Sequence, residues 1–461
     1  MKVEQIYTGC LSQGSYYIES DGEAIIIDPL REVDQYIKKA KSQNVKIKYV
    51  FETHFHADFV SGHLTLSKQA NAPIVFGPNA DPEYDAIISK DGQVFKIGNS
   101  SITVMHTPGH TMESTTYLLK DSKGKDYAIF TGDTLFLGDV GRPDLSQMSD
   151  DMTTEDLAGI QFDSIRNKIM PLADDVIVYP AHGAGSACGK NMMKETVDTL
   201  GNQKKMNYAL RADMTRDEYI KEVTEGLPLP PNYFPLNVKM NKEGYEDINQ
   251  IINRAVNPLS LDEFEAVANQ SGAIVLDVRN QKDYVKGHIP RSIFIGLDGG
   301  FAPWVGTLLK DVKQQILLVV PIGREKEAIT RLSRVGFDQT IGFLKGGFSS
   351  WKESGKEIDS LSSISAEKFE KEIRNKDSFI YDVRKISEYE TSRINSSVNT
   401  PLGEINNYLN DFPEDKDFYI HCAGGYRSVI AASILKSRGI HNIIDIKGGF
   451  KSIKETSILT T

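Results

Sequence analysis

From Met1 to about Gly244, short β-rich runs such as Ala24-Ile-Ile-Ile-Asp28 and Ile74-Val-Phe76 alternate with helical stretches, the pattern of an α/β domain. Four of the apolar runs end at a polar turn. Tyr49-Val-Phe51 leads into His54, Ile102-Thr-Val-Met105 into His110, Tyr127-Ala-Ile-Phe130 into Asp133, and Val176-Ile-Val-Tyr179 into His182. Loops at strand ends are where α/β folds place their chemistry, so these four ends are expected to converge on one site. Leu227-Pro-Leu-Pro-Pro231 with Tyr233-Phe-Pro235 reads as an extended arm, and the polar stretch from Asn241 to Asn249 after it as a domain boundary.

Beyond that boundary the chain repeats itself. Val275-Leu-Asp-Val-Arg279 matches Ile380-Tyr-Asp-Val-Arg384, Gly323-Arg324 sits like Tyr426-Arg427, and Leu344-Lys-Gly-Gly-Phe348 matches Ile446-Lys-Gly-Gly-Phe450, at offsets of 105, 103 and 102 residues. A period this long marks a duplicated domain rather than a solenoid. The expected organisation is an α/β multidomain chain with domains at 1–250, 255–357 and 361–461.

The polar turns carry metal-capable side chains. His54, His56 and Asp58 alternate along one turn, and His110, Asp133 and His182 complete a set large enough for two ions. Five of the nine histidines (54, 56, 63, 110 and 182) fall in or beside these clusters, which points to a metal site rather than scattered core histidines. His63 reads as structural.

The three cysteines, Cys10, Cys188 and Cys422, form no CxxC, so each is weighed as a single thiol. Tyr419-Ile-His-Cys422-Ala-Gly-Gly-Tyr-Arg427-Ser428 reads as strand, loop and helix. Such a loop, here Ala423, Gly424, Gly425 and Tyr426, turns backbone N–H groups toward the sulfur, and Arg427 adds positive charge. A thiolate or persulfide anion is what this layout stabilises. In the first repeat the corresponding segment, Leu317 to Glu325, offers Val319, Val320 or Pro321 at the cysteine position, so that copy carries no persulfide. Cys188 lies in a small-residue loop that begins at His182, where a role beside the substrate competes with that of a buried inert thiol.

On these residues the first part of the chain resembles the metallo-β-lactamase superfamily, and each repeat resembles the rhodanese family. The resemblance implies an αββα sandwich followed by two rhodanese-like domains, the first degenerate and the second catalytic. Zinc hydrolases of the superfamily draw a second metal site from the counterparts of Asp58, His182 and a histidine that is Phe59 here, so a two-metal centre would lose a nitrogen ligand. What remains is His54, His110 and Asp133, two histidines and one carboxylate, which suits one non-haem Fe(II) per chain. His56, Asp58 and His182 then orient ligands or bound oxygen.

The whole chain resembles the multidomain persulfide dioxygenase–sulfurtransferases of bacterial sulfide detoxification. That likeness implies oxidation of a low-molecular-weight thiol persulfide (coenzyme A, glutathione or bacillithiol) by O2 to sulfite, then sulfur transfer through Cys422 to give thiosulfate. It implies a substrate contact for Arg142 in Gly138-Asp-Val-Gly-Arg142-Pro-Asp144, whose competing role is a pair with Asp144. Four residues separate Cys422 from Arg427, as in sulfurtransferases, whereas phosphatases of the same fold carry five. A homo-oligomer, dimer or tetramer, is also expected. The alternative is a dinuclear zinc thioester hydrolase of the glyoxalase II kind, with the repeats as sulfur carriers or docking modules.

Composition adds exclusions. The formal net charge of -10 disfavours nucleic acid as a partner. Met1-Lys-Val-Glu-Gln-Ile6 has no apolar signal-like core and nowhere do eighteen apolar residues run together, so a cytoplasmic location without a membrane partner is expected.

Overall fold

A computed structural model describes residues 1–145, 152–227, 229–374 and 378–461, so Pro228 of the proline-rich arm lies outside it. Two compact units result: Met1–Gln250 with Ser333–Gly336, and Ile251–Leu332 with Phe337–Thr461. Among the described residues no helix is long and apolar enough to cross a membrane.

The first unit holds two six-stranded sheets. One contains β1 (Lys2–Thr8), β2 (Gln13–Ser20), β3 (Glu23–Ile27), β4 (Lys46–Phe51), β5 (Ile74–Phe76) and β6 (Ile87–Ile88) in chain order. The other contains β7 (Val94–Ile97), β8 (Ser100–His106), β9 (Thr115–Lys120), β10 (Asp126–Gly132), β11 (Ile177–Pro180) and β12 (Asp198–Thr199), again with neighbours in chain order. Side chains alternate between faces along a strand, and that alternation builds the layers. Ile25 and Ile27 enter the core shared with Phe51, Ile102, Tyr117 and Phe130, while Ala24 and Ile26 enter a second core with Tyr36, Ala40 and Leu66. Tyr36 and Ala40 come from helix Asp34–Ser42 and Leu66 from helix His63–Ala70. On the far side, Leu118, Ile129 and Val178 pack with Leu157-bearing helix Thr154–Ser164 through its Ala158, and with Tyr219 and Val223 of helix Arg216–Thr224. The expected αββα sandwich is therefore present. Ala24 to Ile27 is apolar throughout because both faces of its strand are covered.

In the second unit two five-stranded parallel sheets share one strand order. They run β13-β17-β16-β14-β15 and β18-β22-β21-β19-β20. The first uses β13 (Pro258–Leu259), β14 (Ile274–Asp277), β15 (Ile293–Phe294), β16 (Ile316–Val319) and β17 (Thr340–Leu344). The second uses β18 (Ser362–Ile364), β19 (Phe379–Asp382), β20 (Ser397–Asn399), β21 (Phe418–His421) and β22 (Ile443–Ile446). The repeated motifs have a structural cause. Asp382 binds Arg384 Nε at 2.9 Å, and the guanidinium lies 3.9 Å from the ring centre of Phe450. Asp277, Arg279 and Phe348 do the same at 2.9 and 4.0 Å, so Asp-Val-Arg and Gly-Gly-Phe are two halves of one fold-stabilising stack.

Register corrects one alignment made from sequence. β21 and β16 start 102 residues apart (418 against 316), as do helices Arg427–Ser437 and Glu325–Ser333 (427 against 325). Gly449 faces the carbonyl of Cys422 just as Gly347 faces that of Val320. Val320 therefore stands where Cys422 does, and Glu325, not Arg324, occupies the Arg427 position. The offset of 103 used for Arg324 is one residue out because the loop offers no anchor of its own.

Candidate functional site

The turn after β4 is fastened from its first residue. Thr53 donates its backbone N–H and its hydroxyl to Asp28, at 2.8 and 2.9 Å. With its proton on Asp28, the hydroxyl oxygen accepts Nδ1–H of His54 at 2.9 Å, which leaves Nε2 as the lone-pair nitrogen. His110 donates Nδ1–H to the Arg142 carbonyl at 2.8 Å, with the same consequence. Nε2 of His54 and of His110 lie 3.9 and 3.4 Å from Asp133 Oδ2. Burial first, and then the imidazoles of His56, His110 and His182, hold the His54 pKa well below its ordinary value, so its imidazole is neutral. Among the described residues no N–H donates to either carboxylate oxygen of buried Asp133. A buried carboxylate to which no N–H donates, facing two lone pairs, has the chemistry of a cation site. The backbone closes tightly around it: a Cβ on Gly141 would lie 2.1 Å from the Asp133 carbonyl oxygen and 2.9 Å from His110 Nδ1.

A second group lies beside the first. His56, Asp58 and His182 each present a ligand atom within 4.8 Å of the others, the same spacing as His54, His110 and Asp133. His182 Nε2 is 3.4 Å from Asp58 Oδ1 and 3.5 Å from Asp133 Oδ1. Burial lowers the His182 pKa, and the two carboxylates more than reverse this, carrying it up to about 9. Phe59 is fully buried with its ring centre 4.4 Å from that of His56, and it adds no ligand atom to this group. His56 Nε2 lies 3.2 Å from Asp28 Oδ1 and 3.6 Å from Glu52 Oε2. Burial, followed by the Asp28 charge, pushes Glu52 well above the usual carboxylate range. His63 packs among the rings of Phe76, Tyr84 and Tyr245.

The Cys188 loop comes to the same place. Asp133, His182 and Cys188 bring their ligand atoms within 4.8 Å of one another. Burial, then the Asp58 and Asp133 charges, push the thiol well above its ordinary pKa, so it stays protonated near neutrality. Asp139 shapes this loop by accepting the N–H groups of Lys190 and Asn191, each at 2.6 Å. Arg142 takes the pairing with Asp144 that competes with a substrate contact. Its Nε and Nη2 donate to Asp144 at 2.6 and 2.7 Å, and Nη1 donates to the Ala187 carbonyl at 3.2 Å. Buried and committed to Asp144, Arg142 fixes His110 through its carbonyl and the Cys188 loop through its side chain.

In the second repeat Gly425 N–H donates to Cys422 Sγ at 3.1 Å, and Phe450 N–H holds the Cys422 carbonyl at 2.6 Å. Gly449 makes this possible, since at φ +57° its absent Cβ would otherwise lie 2.2 Å from the Cys422 carbonyl oxygen. Arg427 is clasped by Glu388 at 2.6 and 2.8 Å. Tyr426 donates its hydroxyl to the Gly296 carbonyl of the first repeat at 2.8 Å. Ala423 gives its carbonyl to Lys451 N–H at 3.0 Å, and a Cβ on Gly424 would meet nothing within 4 Å. Sequence reasoning missed Asp28, Glu52, Thr53 and Glu388. Asp28 at least was within reach, because it too ends an apolar strand.

Comparison with known proteins agrees with this architecture. The metallo-beta-lactamase superfamily model matches residues 8–182, and the rhodanese-like domain model matches residues 260–354 and 365–456. A metallo-beta-lactamase structure from Staphylococcus aureus subsp. aureus COL is 30% identical, with TM-score 0.64, over 75% of this chain and 99% of that one. Hydroxyacylglutathione hydrolase GloC of Haemophilus influenzae is 28% identical over 41% of this chain and 94% of that protein. The human mitochondrial persulfide dioxygenase ETHE1 is 28% identical over 45% of this chain and 73% of that protein. For three other hydroxyacylglutathione hydrolases the chain spans only 60%, 53% and 60% of their length.

Proposed function

Because this chain belongs to the metallo-β-lactamase superfamily and carries two rhodanese-like domains after that fold, we propose that it oxidises a low-molecular-weight thiol persulfide with O2 and passes sulfane sulfur through Cys422. What supports the reading most is the convergence of His54 Nε2, His110 Nε2 and Asp133 Oδ2 in a chain that also holds a complete cysteine loop. These residues fit one ferrous ion, which when bound supplies the redox chemistry between sulfane sulfur and dioxygen. The overall reaction is RSSH + O2 + H2O → RSH + sulfite + 2 H⁺, with coenzyme A, glutathione or bacillithiol as RSH.

The protein's own residues set the site. Thr53 on Asp28 aims His54, the Arg142 carbonyl aims His110, and the buried Cys188 thiol stays neutral beside the donor set. In the second repeat the Cys422 thiolate attacks the outer sulfur of a persulfide, the S–S bond breaks and RS⁻ leaves. Sulfite then attacks the outer sulfur now on Cys422, giving thiosulfate and returning the thiolate.

Cys188→Ser is expected to keep its metal and to lower persulfide turnover by about tenfold, close to 1.4 kcal/mol of barrier. Unchanged steady-state kinetics would make Cys188 a packing residue. A second reading, a two-metal thioester hydrolase, is favoured by the His56, Asp58 and His182 group and by the hydroxyacylglutathione hydrolase relatives. Phe59 weighs against it. Oxygen uptake on a thiol persulfide, run beside hydrolysis of a glutathione thioester, separates the two: uptake without hydrolysis supports the dioxygenase, hydrolysis without uptake the rival.

A further inference from the structure

A polar chain runs from the sulfur of Cys422 into the core of the second repeat. Cys422 Sγ lies 3.6 Å from Ser428 Oγ, and Ser428 donates its hydroxyl to Asp445 Oδ1 at 2.7 Å. The other oxygen, Oδ2, accepts the Ser363 hydroxyl at 2.8 Å across the β18–β22 pairing. Ser428 and Asp445 are buried, at 0% and 2% exposure, so the chain has no solvent to fall back on. With its own proton on Asp445, Ser428 can meet the sulfur only as an acceptor of S–H.

The first repeat provides an internal comparison. At the 102-residue offset, Cys422, Ser428 and Asp445 become Val320, Lys326 and Phe343. Pro258 pairs with Phe343 as Ser363 pairs with Asp445, so the fourth member is gone as well. The Asp-Val-Arg and Gly-Gly-Phe stack survives in both copies. What the fold needs is kept, and the whole polar chain is absent where the thiol is absent.

We propose that Cys422, Ser428 and Asp445 form one proton-sharing unit, in which Asp445 takes the Cys422 proton through the Ser428 hydroxyl as the sulfur becomes a thiolate. In the transfer the S–H proton passes to Ser428 Oγ while the Ser428 proton passes to Asp445. The electron pair of the S–H bond stays on sulfur. The hydroxyl then points back and donates to the thiolate, and the buried unit keeps a single negative charge throughout. Burial raises the Asp445 pKa, against the Ser428 and Ser363 hydrogen bonds and the Lys447 charge, to about 6, within reach of a thiol. Among the described residues, the charged groups on neighbouring elements include Arg427, held by Glu388, and the Asp382–Arg384 pair beside buried His421.

This inference rests on Cys422 as the sulfur carrier, and its test keeps the two apart. In the full-length protein, iodoacetamide alkylation of Cys422 is followed from pH 5 to 9 by peptide mass spectrometry, with thiosulfate sulfurtransferase activity profiled over the same range. Two groups sharing one proton give the wild type a titration broader than that of a single group. Asp445→Asn removes the competing charge, so a single-group curve is expected with its midpoint about one unit lower and alkylation below it about tenfold faster. Curves of the same shape and midpoint in wild type and Asp445→Asn would overturn the proposal. Should Asp445→Asn fail to fold, Ser363→Ala leaves the Cys422–Ser428 contact in place and, by removing a hydrogen bond to the carboxylate, is expected to move the lower limb upward; an unmoved limb would count against it. Cys422→Ser run in parallel tests only the carrier: retained transfer removes that reading whatever the titrations show.

Discussion

Replacing His54, His110 or Asp133 by Ala is expected to abolish bound metal and oxygen uptake together, while sulfur transfer at Cys422 persists. The reason is donor count. Three lone-pair atoms are brought together by three separate strand ends, after β4, β8 and β10, and each is locked by its own neighbour or freed of N–H donors. Losing only an orienting partner of a metal ligand costs about 10- to 100-fold in affinity, so losing the ligand itself exceeds that. Metal content by mass spectrometry, oxygen electrode traces and circular dichroism on the same preparations check it. A folded His110→Ala protein with normal uptake would remove these three residues from the chemistry.

Cys422→Ser has the opposite profile. Oxygen uptake is expected to stay within about twofold of wild type, thiosulfate sulfurtransferase activity to fall to background, and the products to move from thiosulfate toward sulfite. The first repeat cannot compensate, because Val320 and Glu325 stand where Cys422 and Arg427 do. Serine keeps the volume and the Gly425 N–H contact but holds no sulfane sulfur, so the loss reports chemistry rather than collapse of the loop. Some thiosulfate remains, since sulfite attacks persulfides unaided. Chromatography of sulfite and thiosulfate after a persulfide reaction measures the shift, and normal transfer in the variant would show that Cys422 is not the carrier.

Much of this was legible in the chain because strand ends announce themselves. A run such as Tyr127-Ala-Ile-Phe130 followed by Thr-Gly-Asp133 specifies a buried strand and a polar turn without reference to the rest of the fold. The duplication was equally visible, since Asp-Val-Arg and Gly-Gly-Phe must recur together to build their arginine–aromatic stack. Other features depended on pairings that sequence distance hides. Val320 was one of three candidates until β16 and its following helix fixed the register. For Arg142 the chain left open a substrate contact or a pair with Asp144, and Asp144 two residues on takes two of its nitrogens. Asp445 stood unnoticed beside Lys-Gly-Gly, because its link to Ser428 needs β22 to lie next to the Cys422 helix. Comparing the two repeats at all four positions, rather than at the cysteine alone, would have exposed it.

The central claim is a single iron held by His54, His110 and Asp133, and the most direct measurement is metal stoichiometry on protein purified without added metal, paired with oxygen consumed per persulfide. The account predicts one iron per chain and one O2 per thiol persulfide, with both lost on His110→Ala. Two zinc ions per chain, with thioester hydrolysis and no oxygen consumption, would contradict it.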